Sequence, residues 1–178
     1  MSAALFSRHA YELEREGEGN RRPLIHRAYV TGSIITCVAF LEASINELLA
    51  DASDRHEPHL AGLDTNIVNL MSKMWERGVP RTARYSVLEK YEIALDLAGL
   101  ERFERGQNPF QDAKLVTDLR NAMIHWEPEW MPTGSTAVEL EESHKFEKSL
   151  RGKFALNPLT GVGNPFYPDK CLSHGCAQ

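Results

Sequence analysis

Between residues 24 and 51 the apolar side chains Ile34, Ile35, Val38, Leu41, Ile45, Leu48 and Leu49 recur three and four positions apart. On an α-helix this spacing gathers them into one stripe, which is stable in water only when other elements cover it. A long helix of this kind restricts the chain to a helical bundle in which it is the central strut. With 178 residues, 42% of them hydrophobic and 25% charged, the chain can bury such a core as one domain.

The remaining segments supply the cover. Residues 3–16 read as a short helix closed by the run Gly17 to Asn20, and Pro23 opens the long one. After a break at residues 51–58, a helix runs from His59 through Leu63, Ile67, Leu70, Met71 and Met74 to Trp75, where Gly78 and Pro80 end it. The next spans residues 82–98, carries Tyr85, Leu88, Tyr91, Ile93, Leu95 and Leu97, and stops at Gly99. Asn108 and Pro109 then offer a cap and a first-turn proline to a helix whose buried face is Leu115, Leu119, Ala122 and Trp126, before Pro128 and Pro132 stop it.

The expected fold class is all-α, a bundle of about five helices over residues 1–130. Residues 131–178 follow as a loop-rich extension with a short charged helix near 138–150, packed on the same domain. From Pro168 the chain opens like a helix yet reaches Gln178 within a few turns, so the native protein is expected to continue into a final helix.

A formal net charge of -5 gives no global pull on nucleic acid, so any RNA contact must come from a local basic surface or an assembled dimer. Candidate clusters are Arg21, Arg22, His26 and Arg27, then Lys73, Arg77, Arg81 and Arg84, and in the tail Lys145, Lys148, Arg151 and Lys153. The N-terminus lacks a basic leader, and the apolar runs read as interrupted before the roughly 18 residues a span needs, so a soluble, cytoplasmic protein without a membrane partner is expected. Cys37, Cys171 and Cys176 form no disulfide framework. Cys171, His174 and Cys176 would give a zinc ion only three ligands at cramped spacing, and Gly161 and Gly163 lack the strand and helix of a phosphate loop. No metal and no cofactor is therefore expected.

The residues with chemistry lie in Arg120-Asn121-Ala122-Met123-Ile124-His125, at the end of an amphipathic helix. At about 100° per residue, Asn121 and His125 share one margin of the helix, while Arg120 falls about 140° from His125. RNA is cut without a metal when a base takes the ribose 2′-OH proton and a cation stabilises the charge gathering on phosphorus, roles that His and Arg suit at neutral pH. The plainer reading gives Arg120 a surface salt bridge and His125 a place against the helix C-terminal dipole. Glu42 falls by spacing with Val38, Ile45 and Leu49 on the buried stripe, and a buried carboxylate needs a partner. That partner is either Arg120 or His125 across a helix interface, or a structural Lys, Arg or Tyr, and Asn46 can join either arrangement.

The R-N-x-x-x-H pattern closing a helix, preceded by the long helix with Phe40, Leu41 and Glu42, resembles the HEPN superfamily (higher eukaryotes and prokaryotes nucleotide-binding domains). The resemblance implies a homodimer whose motif helices meet, placing two copies of Arg120 and His125 in one cleft. It also implies endoribonuclease cleavage by 2′-OH attack without a metal, with His125 as base, Arg120 as transition-state cation, and Asn121 and Glu42 as orienting groups. RNA is the implied substrate, a toxin–antitoxin or phage-defence setting the implied context, and a nucleotidyltransferase-like antitoxin the implied partner. The alternative is a non-catalytic HEPN-like dimer that binds a nucleotide or a protein partner.

Overall fold

The computed structural model describes residues 2–16, 22–78, 85–125 and 144–178. Among these the structure is all-α, with no strand. Its helices are α1 (Ser2–Arg15), α2 (Pro23–Asp54), α3 (Glu57–Leu60), α4 (Thr65–Glu76), α5 (Val87–Leu97), α6 (Phe110–Ile124), α7 (Lys145–Leu150) and α8 (His174–Ala177), with a π-helical turn at Phe166–Lys170 before α8. The turn at Gly17 to Asn20, the start of a helix at Thr82, and Trp126 with the prolines after it lie outside the described residues.

The chain packs into two compact units: residues 38–115 form one, and residues 1–37 with 116–178 form the other. In the first, Ile45, Leu49 and Ala52 of α2 pack with Leu60, Val68, Met71, Val87 and Ala94, and Leu41, Leu48, Ile67, Trp75, Leu88 and Tyr91 close round them. The single helix expected from His59 to Trp75 is two. Gly62 takes a left-handed conformation (φ 87°), and Asp64 caps a fresh helix by accepting from the Asn66 amide at 2.7 Å. The phase of α4 follows that restart, so Val68 and Met71 are buried while Leu70, expected in the stripe, is 48% exposed. Helix α5 starts at a complete capping box, in which the Ser86 amide donates to Glu89 at 2.7 Å and the Glu89 amide to Ser86 Oγ at 3.3 Å.

In the other unit α1 lies along the first turns of α2. The Phe6 ring occupies the space a side chain at residue 32 would need, since a Cβ on Gly32 would come within 3.0 Å of it. Tyr29 packs against Phe6 and His9. The C-terminal residues, short as their helix is, are tied into this unit. The Glu14 carboxylate accepts from fully buried His26 Nε2 at 2.8 Å and from the His174 amide at 2.5 Å. Ser33 Oγ is within 2.9 Å of the Ala3 carbonyl and 3.0 Å of the Ala177 carbonyl, and Arg27 reaches Asp169 at 3.0 Å. Cys171, Leu172 and Ser173 are buried as a result. A four-residue helix does not persist alone, so tertiary contacts hold α8 in place.

Helix α2 is longer and more apolar than the sequence pattern suggested. By length and composition it could cross a bilayer, because an 18-residue window averages 1.6 in hydropathy, with 28% of that window buried inside the structure. The expectation of apolar runs too short for a span is thereby corrected. Its buried residues Val30, Ile34, Val38, Ile45 and Leu49 are also what a core helix shows.

Candidate functional site

The motif residues sit where α6 ends. Leu119 of the expected inner face is buried, and so is Thr117, about 200° away from it round the helix. Asn121 and His125 are exposed, whereas Arg120 is partly buried and its Nε is withdrawn from solvent. The His125 amide donates to the Asn121 carbonyl at 2.8 Å, which continues the helical ladder and stacks the two residues one turn apart. The structure therefore brings Asn121 and His125 together and turns Arg120 toward the protein. Trp126, expected to complete the inner face, lies outside the described residues, while Leu115 and Ala122 are only partly buried.

Glu42 belongs to the other compact unit. Its carboxylate accepts from Lys90 Nζ at 3.0 Å, and Asn46 Oδ1 accepts from the same ammonium at 3.2 Å. The burial expected for Glu42 is inverted: its side chain is 44% exposed and that of Lys90 only 3%. Of the two readings weighed for Glu42, the structural tie to a lysine is the contact observed, with Asn46 joining it. Lys90 carried a signal, since it falls between Val87 and Ala94 on the inward face of α5. A second inward charge on that helix, Glu92, is 6% exposed and receives both Nε and Nη2 of Arg105, at 3.0 and 2.9 Å.

Burial pushes the Cys171 thiol far up, helped by the neighbouring Cys176, and raises Cys176 to about 12. Of the basic clusters, the first loses His26 to the interior, and Arg27 is engaged by Asp169. An open cleft of about 520 Å³ lies against α7 and the π-helical turn, lined by Arg151, Lys170, Glu147, Phe154, Leu156 and Phe166. It was not foreseen, because its walls meet only once residues 144–178 have folded.

Another group missed by sequence reasoning is Glu47, Asp51 and His59, the metal-capable cluster found among the described residues. Glu47 and Asp51 are one turn apart on α2, and His59 Nδ1 contacts Asp51 Oδ2 from α3. The hydrogen bond to Asp51 raises the His59 pKa against desolvation, with the charges of Asp51 and Glu47 adding to the rise.

The chain matches no family model, no curated protein and no solved structure.

Proposed function

We propose that the protein is a soluble, cytoplasmic endoribonuclease of HEPN type that works as a homodimer and cuts RNA by 2′-OH attack. The observation that carries the reading is the solvent-facing His125 imidazole at the end of α6, one turn beyond exposed Asn121 and five residues after Arg120. In this mechanism His125 removes the 2′-OH proton, the freed oxygen attacks phosphorus, and the 5′ oxygen leaves after taking a proton. The products are a 2′,3′-cyclic phosphate and a 5′-hydroxyl end. Arg120 offsets the charge on the phosphorane, and Asn121 orients the imidazole or the phosphate.

In the proposed dimer Arg120, partly buried and turned toward its own chain, swings outward to serve the imidazole of the other. Ile124, directly before His125, is 49% exposed, so apolar surface beside the imidazole is available for a second copy. The cleft beside α7 offers cations for phosphate and rings for base stacking. By resemblance the setting is toxin–antitoxin or phage defence, with a nucleotidyltransferase-like partner.

Purified protein incubated with structured RNA in EDTA tests the proposal. Cleavage leaving cyclic phosphate ends, lost in His125→Ala and accompanied by a dimer in sedimentation, is expected. Equal traces for both proteins would remove the nuclease and leave a HEPN-like binding module, and a strict monomer would remove the paired cleft.

A further inference from the structure

We propose that Glu47, Asp51 and His59 form a surface site for a first-row divalent transition ion, with zinc the best match. A carboxylate oxygen of Glu47, one of Asp51 and a ring nitrogen of His59 all lie within 4.8 Å of one another. Around a tetrahedral zinc ion at about 2.0–2.2 Å from each ligand, donors stand roughly 3.3–3.5 Å apart. His59 Nδ1 already shares a hydrogen bond with Asp51 Oδ2, so an ion enters by displacing the proton between them and parting the two groups, while exposed Glu47 swings in.

The three donors come from two segments whose relation is fixed by backbone and core. Glu47 and Asp51 lie on the same face of α2. The chain then reverses at Arg55 (φ 59°), the His56 amide donates to the Asp51 carbonyl at 3.0 Å, and Leu60, 9% exposed, anchors α3 in the core. His59 is thus held over the acidic pair rather than left on a loose loop. A second imidazole lies beside it, the His56 ring meeting the His59 ring edge-on at 5.8 Å.

The donor set selects the ion. Calcium and magnesium take oxygen ligands, whereas an imidazole nitrogen with carboxylates suits zinc, cobalt and nickel. Glu47 and Asp51 are like charges one helical turn apart, an arrangement that destabilises an isolated helix and that a cation reverses. The His59 side chain is 52% exposed, so an ion can enter from solvent and water can complete its coordination.

This site goes beyond the nuclease reading and does not rest on it, because its residues are in one compact unit and the motif in the other. EDTA-stripped full-length protein is titrated with zinc by calorimetry and with cobalt by visible absorption. Saturable binding of one ion per chain is expected, with no binding of calcium or magnesium at the same concentration. His59→Ala and Glu47→Gln should each weaken zinc binding at least about tenfold, since loss of even a hydrogen-bonding partner of a metal ligand costs about that much. Both residues are exposed, and unchanged circular dichroism of the variants separates loss of a ligand from loss of the fold. Absence of saturable binding, affinity unchanged in His59→Ala, or a cobalt–thiolate charge-transfer band pointing to the cysteines would each overturn the proposal.

Discussion

Replacing Glu42 with alanine takes the carboxylate from an ammonium that has almost no access to water. Lys90 is 3% exposed and would keep Asn46 at 3.2 Å as a polar neighbour. Breaking a fully buried pair costs about 3–5 kcal/mol, and because the Glu42 end is 44% exposed we expect about 2–3 kcal/mol here. The reverse substitution is not equivalent. Lys90→Met fills the same volume with apolar atoms and leaves a carboxylate that water can reach, so its cost should stay within about 1 kcal/mol. The double variant should resemble Lys90→Met, because the stranded charge is gone. Urea unfolding followed by far-UV circular dichroism reads this directly: with a slope of about 2 kcal/mol per molar urea, Glu42→Ala lowers the midpoint by about 1–1.5 M. A Glu42→Ala midpoint within about 0.2 M of wild type, or Lys90→Met as damaging as Glu42→Ala, would refute the asymmetry and the burial argument behind it.

Two further outcomes follow from the same reasoning. Glu14→Ala leaves buried His26 and the His174 amide without their shared acceptor, so residues 171–178 should exchange amide hydrogens faster and stability should fall by about 2–4 kcal/mol; unchanged exchange in the tail would show that Glu14 does not anchor it. The Glu89 carboxyl is held below its usual value by hydrogen bonds from Ser86, so its stabilisation is present above the unfolded carboxylate pKa and is lost as pH falls through the lower folded value. Glu89→Gln should accordingly flatten the acid side of the stability profile measured by urea midpoints, and an unchanged profile would count against the capping box.

Several elements were legible because their cause is local. The stripe on α2 is buried at Ile34, Val38, Ile45 and Leu49, and Gly78 and Gly99 take the left-handed conformations that helix ends favour. The break between α3 and α4 was missed although Gly62 and Asp64 are ordinary signals for it, because the apolar spacing on both sides stays in register with one helix. At the motif, helical arithmetic separated Arg120 from His125 and joined Asn121 to it, as the exposures show. The same arithmetic put Glu42 on the buried stripe, whereas its carboxylate is 44% exposed and Lys90 is the buried member of the pair.

By itself the sequence determined the helical class, the long apolar strut and the R-N-x-x-x-H stretch at a helix end, since periodicity, caps and motif spacing act within a few residues. Only the tertiary structure decided which polar groups meet: Lys90 with Glu42 across 48 residues, the His174 amide with Glu14 across 160, and His59 over Asp51 beyond a left-handed turn. Those choices depend on desolvation, because a charge withdrawn from water must take whichever partner the packing of distant elements brings to it.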